Sequence, residues 1–367
     1  MENKNLQRQR RGFLKNVSAF TGISLIHPYV KASGLSAKRV LKTDNTYYTT
    51  GAQQYLQKQP SENEQLVVCF APLIFAVKGR QVDMQMKVSA PVTGTNLPII
   101  LLSHGHGNSN FLSSWRGYSP LSDFFAAHGF IVVQPTHQDS KSLHLDPTGP
   151  EGALFWKSRA QDMHFILENI EEILSAVPGL AGRFNKNNIV ALGHSLGGHT
   201  IAMLSGMQVV DPVSGENVNL SAPSLKARVM LGTPGKGADL ASFAAEHYPV
   251  LKNTNFDTMT LPALVITGDE DKSANFSARD DWRADAYHFS PSPKCLFTVY
   301  GAKHLFGGVS GYDAAETGDE NPERVAFINE VILAYFKSML NPDDTSWTDT
   351  IKKLNNDTNA KGRIECK

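Results

Sequence analysis

The chain has 367 residues, of which 41 % are hydrophobic and 19 % charged, a composition ordinary for a globular protein with a real core. Its 35 basic and 35 acidic side chains cancel, so no surplus of either sign points to nucleic acid as a partner. No run of about eighteen apolar residues exists to serve as a membrane span.

The opening, MENKNLQRQRRGFLKNVSAFTGISLIHPYVKASG, is basic at its head, moderately apolar from Val17 to Val30, and rich in small residues after Lys31. Residues 1–32 therefore read as an export signal, with Val30-Lys31-Ala32 as its cleavage site. The run Arg10-Arg11-Gly12-Phe13-Leu14-Lys15 resembles the twin-arginine signal of bacteria, although Gln9 stands where Ser or Thr is usual. Such a pair is read by the export machinery and is not an anchor, so the expected location is periplasmic or secreted. Removing residues 1–32 takes away six basic groups and one acidic group, leaving 29 against 34, a mildly acidic mature chain of net charge −5.

Residues 33–367 read as a single domain with its core at about 65–340. VVCFAPLIFAV (67–77) and VDMQMKVSAP (82–91) are expected as early strands. LPIILL (97–102) and FIVVQP (130–135) are short apolar runs closed by loop residues, the pattern of buried parallel strands. From Ser158 to Val177, apolar side chains recur close to helical spacing until Pro178-Gly179 stops them. Four more strands follow at NIVAL (188–192), ARVML (227–231), LPALVIT (261–267) and LFTVY (296–300). The last predicted helix runs from Pro322 to Leu340 and ends at Asn341-Pro342. Strands separated by helical stretches imply crossover connections, hence a mostly parallel central sheet with helices on both faces. The stretches 205–224 and 233–260 interrupt this alternation and are expected as small cap insertions. Cys69, Cys295 and Cys366 make no metal spacing; an odd count argues against a disulfide framework but leaves room for one pair, undetermined by the sequence.

In a parallel sheet, ligands bind beyond the carboxyl ends of the strands. The residues there are SHGHGN after 97–102, THQD after 130–135, GHSLGG after 188–192, GDEDKS after 261–267 and GAKHLF after 296–300. Serine, acid and histidine thus occur in that order, each at a strand end. A serine hydroxyl attacks only if a neutral imidazole takes its proton, and the imidazole needs a carboxylate to fix its tautomer. Gly193-His194-Ser195-Leu196-Gly197 matches a sharp strand-to-helix turn with Ser195 at its apex. A phosphate loop would need a Lys-Ser/Thr pair or a GxGxxG run, and neither is present here. Among twelve histidines, His304 stands out because it follows the last predicted strand; His128, His164, His247 and His288 read as packing or surface residues. The acid lies among the contiguous Asp269, Glu270 and Asp271, which spacing alone does not separate.

IILLSHGHG, GFIVVQPTHQDS, SRAQDMHFILENI, GHSLGGHTIAMLSG, LVITGDEDKS and GAKHLF together resemble the α/β-hydrolases over roughly residues 65 to 340. More narrowly, they resemble the branch holding chlorophyllase-like, dienelactone-hydrolase-like and platelet-activating-factor-acetylhydrolase-like enzymes and the bacterial polyester hydrolases. The resemblance implies Asp271 as the acid, and backbone amides of His106 and Leu196 as the oxyanion hole. One such donor is typically worth roughly 3–4 kcal/mol. Ser195 stands where dienelactone hydrolases carry Cys, which weakens a lactone-specific reading. The implied activity is carboxylic-ester hydrolysis through an acyl-enzyme, on a small-molecule or polymeric ester and without a cofactor.

Phe111, Trp115 and Trp156, with Phe306 beside the base, are expected to line the cleft and to suit it to apolar or short-to-medium acyl esters. Two other chemistries share these residues. An acyltransferase or perhydrolase would use the same triad. A metal-dependent hydrolase would use His104 and His106, with His137 as a further ligand, although Gly107-Asn108-Ser109 follow where a metallo-lactamase-like site continues with Asp-His.

Overall fold

The computed structural model describes residues 64–367, so the export signal read at residues 1–32 lies outside the described residues. The main sheet is built from β1 (Val67–Phe75), β2 (Met84–Pro91), β3 (Leu97–Ser103), β4 (Ile131–Pro135) and β5 (Phe184–His194) in its first half. Two short strands, β6 (Gln208–Val210) and β7 (Asn217–Val218), precede β8 (Ala227–Leu231), and a third, β9 (Thr254–Asn255), precedes β10 (Ala263–Gly268). β11 (Lys294–Val299) and β12 (Gly362–Cys366) complete the set. The nine-stranded order is β1-β2-β4-β3-β5-β8-β10-β11-β12. From β4 to β11 every neighbouring pair is parallel, whereas β1, β2 and β12 are antiparallel to their neighbours. The predicted mostly parallel sheet is borne out.

Alternation within each strand explains why this sheet is covered twice. Ile99 and Leu101 of β3 belong to one hydrophobic cluster, while Ile100 and Leu102 belong to the other. The first cluster packs under the helices Trp156–Glu168 and Leu196–Leu204, the second under Ser119–Ala127 and Pro322–Leu340. Strands that must bury both faces are predominantly apolar, as LPIILL is; ARVML has one exception, Arg228, whose buried guanidinium donates to the Leu204 and Ala222 carbonyls. The helix expected over 158–177 is broken at Asn169, whose side-chain amide donates to the Phe165 carbonyl at 2.8 Å and competes with the helical ladder. Pro322 opens its helix at a position where a missing N–H is harmless, and Asn321 caps it by accepting from the Arg324 amide at 3.0 Å.

Two features lie beyond the sequence-level reading. Pro322–Leu340 is not the last helix: Ser346–Asn356 follows, and then β12 pairs with β11 in a register that sets Cys366 opposite Cys295. Those two cysteines form the disulfide, and Cys69 is free and exposed. The two insertions also join each other, because β6 pairs with β7 on one side and with β9 on the other in a small antiparallel sheet.

Candidate active site

Three parallel strands, β5, β10 and β11, end on the same side of the sheet, with β8 between the first two. Ser195 directly follows β5 and holds φ 54°, ψ −118°, a conformation that L-residues avoid. The turn is possible because its flanking glycines leave room: a Cβ on Gly193 would lie 2.2 Å from the Gly197 carbonyl oxygen, and one on Gly197 would lie 2.0 Å from that of Ser103. The Ser195 amide donates to the Leu231 carbonyl at 2.8 Å, fixing the apex to β8.

The strand ends bring Ser195, His304 and Asp271 into contact. His304 Nδ1 donates to Asp271 Oδ2 at 2.9 Å, which leaves its Nε2 to accept from the Ser195 hydroxyl, also at 2.9 Å. Asp269 takes no part, since its Oδ1 accepts from the Gly301 amide at 2.6 Å. Asp271 is buried, and its other oxygen accepts from Arg283 Nε at 2.8 Å while Arg283 also donates to the Gly232 carbonyl. Burial by itself would raise the Asp271 carboxyl; the His304 and Arg283 charges outweigh it and hold the group at about 2. Arg283 carried no signal in the sequence, because it lies outside every motif.

The loop after β3 is gripped just as firmly. His104 is fully buried, which holds its ring neutral and well below the usual imidazole range. Its Nδ1 donates to the Gly105 carbonyl at 2.6 Å, and its Nε2 accepts from the His137 amide at 2.9 Å. The Gly105 carbonyl and the His106 N–H share one peptide plane and point in opposite directions. Binding the carbonyl to His104 therefore turns the His106 N–H away from that ring. Tyr118 Oη accepts from the Gly105 amide at 2.8 Å, and Arg159 donates to the His104 carbonyl. Among the described residues, the amides of His106 and Leu196 have no hydrogen-bond partner in the protein, and both residues line the cavity that contains Ser195. For Leu196 this follows from its place in the first turn of a helix.

His104 and His137 cannot also serve a metal as placed. Both His104 nitrogens are engaged, and His137 bonds Asp162 Oδ2 at 2.8 Å through Nδ1 and Ser103 Oγ at 3.0 Å through Nε2. No group of three His, Cys, Asp or Glu side chains among the described residues is arranged to hold a metal ion.

The cavity has a volume of about 450 Å³. Ser195, His304 and Asp271 line it with His106, Asn108, Lys272 and Ser273, and Leu154, Pro234, Tyr248, Leu251 and Phe276 supply apolar surface. None of the four aromatic residues expected at the cleft lines it. Phe111 is exposed elsewhere, and Trp115 is occupied by Gln85, which accepts from its Nε1, and by Arg116, whose guanidinium stacks on the ring. Trp156 lies in the core below the sheet, and Phe306 is buried edge-on against His194 at 6.1 Å. The aromatic side chains that do line the cavity, Tyr248 and Phe276, stack on each other with ring centroids 5.9 Å apart. Tyr248 belongs to the 233–260 insertion, so that segment contributes to the cavity wall.

The arrangement can deprotonate a serine hydroxyl with an oriented imidazole and offer two free amides to a developing oxyanion. A model of the alpha/beta hydrolase family matches residues 99–334, more than half of the chain, and contains Ser195, Asp271 and His304. A search of curated proteins finds no match. With strand order, serine turn and family model in agreement, the chain belongs to the alpha/beta hydrolase family.

Proposed function

We propose that this hydrolase is a serine carboxylic-ester hydrolase, of the esterase or lipase type, that works through an acyl-enzyme. Ser195 attacks the ester carbonyl while His304 takes its proton. Asp271 orients His304 and balances the imidazolium, and the amides of His106 and Leu196 receive the oxyanion. His304 then protonates the departing alcohol, and a water molecule deprotonated by the same ring releases the acid. The observation that carries this reading is the continuous hydrogen-bonded line Ser195–His304–Asp271, with 2.9 Å at each step. An organophosphate should add one covalent adduct at Ser195 and abolish ester hydrolysis. Full activity in Ser195→Ala would refute the mechanism.

The same proposal includes export. It is supported by Arg10-Arg11 and by the Cys295–Cys366 disulfide, a bond that persists in oxidising compartments. Replacing both arginines with lysine should trap the precursor in the cytoplasm, and export of that variant at the wild-type level would refute the signal.

A further inference from the structure

A second histidine–aspartate pair reaches the cavity through His106 alone, with Asp139 buried behind it. His106 Nδ1 donates to Asp139 Oδ2 at 2.8 Å, and the fully buried Asp139 is clamped on its other oxygen by the equally buried Arg159. Arg159 is fixed in turn by Thr200 Oγ1 at 3.0 Å and by the His104 carbonyl. Burial by itself would raise the Asp139 carboxyl, but Arg159 and the His106 bond outweigh it and hold it far below the carboxylate range. An ionised Asp139 keeps the proton of a neutral His106 on Nδ1 and leaves the Nε2 lone pair free. That nitrogen has no partner among the described residues, and it is not sealed in the interior, because the side chain is 15 % exposed and lines the cavity. Tyr248 stands edge-on to the ring at 6.0 Å and limits its swing.

Triad chemistry needs only the backbone amide of residue 106, which any side chain would supply. Burying an Arg–Asp pair carries a desolvation penalty, and here the pair holds one ring that lines the cavity and whose Nε2 has no partner among the described residues. The leaving oxygen of an ester must face His304 Nε2 to receive its proton. The loop carrying His106 then borders the other substituent of the carbonyl, the acyl chain. A cavity of about 450 Å³ that also offers Asn108 and Ser273 suits a short, polar acyl group.

We propose that His106 is a specificity residue, positioned by Asp139, that accepts a hydrogen bond from a hydroxyl on the acyl chain. The preferred substrates are then short hydroxyacyl esters. This rests on the serine-esterase reading of the same cavity. A site that bonds a substrate hydroxyl discriminates strongly against the analogue that lacks it.

The test compares ethyl butyrate with each enantiomer of ethyl 3-hydroxybutyrate, followed by ethanol release. The wild type should favour one hydroxy ester by about tenfold or more in kcat/KM. In His106→Leu that ratio should fall towards one, and in Asp139→Asn it should fall partway. Equal rates on ethyl butyrate and both hydroxy esters in the wild type, or an unchanged ratio in His106→Leu, would overturn the proposal. Calorimetric binding to Ser195→Ala separates it from the esterase reading, because no hydrolysis is needed. Tighter binding of the hydroxy ester that disappears when His106→Leu is added supports the hydroxyl contact even if neither ester is turned over. Equal binding of the two esters overturns it whether or not the enzyme is an esterase.

Discussion

His194 donates its Nε2 proton to the backbone carbonyl of His304 at 2.8 Å, so the residue before Ser195 holds the backbone of the residue that Ser195 bonds. The ring is buried and neutral, lowered to about 3 chiefly by that burial, and its Nδ1 accepts from Tyr118 Oη at 3.0 Å. Tyr118 in turn receives the Gly105 amide, which links the loop after β3 to the loop after β11 through two side chains. Breaking the link should misplace the base without removing it. His194→Gln is expected to lower kcat roughly ten- to a hundredfold with little change in KM. Steady-state kinetics on a variant shown to be folded checks this.

The acidic turn offers a comparison within one loop. Asp271 bonds His304, whereas Asp269 bonds the Gly301 amide. Asp271→Asn should reduce turnover by about 10⁴-fold, because an amide neither fixes the imidazole tautomer nor balances its charge. Asp269→Asn should cost less than about tenfold, the loss of one hydrogen bond at the loop. Turnover measured on variants with matched melting temperatures decides the ranking, and the reverse order would move the acid to Asp269.

Four buried histidines make the fold acid-sensitive. His194 and His199 are lowered to about 3 by burial, and burial likewise holds His104 and His137 well below the imidazole range. A base whose native pKa is depressed stabilises the fold fully above its unfolded value of about 6.5, and that contribution is lost as the pH falls below it. Asp162 acts in the opposite sense: burial raises it to about 6 against the pull of Arg80, so the native state keeps a proton that the unfolded chain has released. The balance near pH 5 is uptake of about three protons on unfolding, a slope of about 4 kcal/mol per pH unit. Urea denaturation between pH 7.5 and 5 should show this steep decline, and a flat profile would mean that the histidines are protonated in the native state.

The disulfide closes a long loop, with a sequence separation of 71 between Cys295 and Cys366. Its removal should lower stability by roughly 2–4 kcal/mol through the entropy regained by the unfolded chain. Cys295→Ser/Cys366→Ser is the direct test, read by denaturant midpoint. Because β12 sits at the sheet edge beyond β11, turnover per folded molecule should change little.

The parallel strands and the chain order of Ser195, an acidic turn at 269–271 and His304 were legible because both follow from local rules, whereas Asp271 within that turn came from the family resemblance. A strand buried on both faces is mostly apolar, and ARVML keeps that pattern at residues 227–231 without a shift of boundary despite Arg228, whose buried guanidinium donates to backbone carbonyls. What depended on side-chain direction was not legible. Phe306 adjoins a loop of the right kind, but its φ of 52° accompanies a ring buried against His194. Trp156 begins a helix whose inner face is core. β12, GRIEC, carries two charged residues in five and so gives no strand signal, and only the neighbouring β11 gives it a partner. Asp139 ends GFIVVQPTHQD and Arg159 is the second residue of SRAQDMHFILENI, yet a buried ion pair between a strand end and a helix leaves no spacing to read.

The backbone at Ser195 has a consequence for how such a protein can change. Its φ of 54° suits glycine far better than serine, so the fold would gain stability by giving up the hydroxyl at that position. Ser195→Gly is expected to be the rare active-site substitution that raises the melting temperature while abolishing turnover. A screen for thermal stability alone would therefore drift toward inert descendants of this chain, and any attempt to improve its robustness has to select for chemistry at the same time.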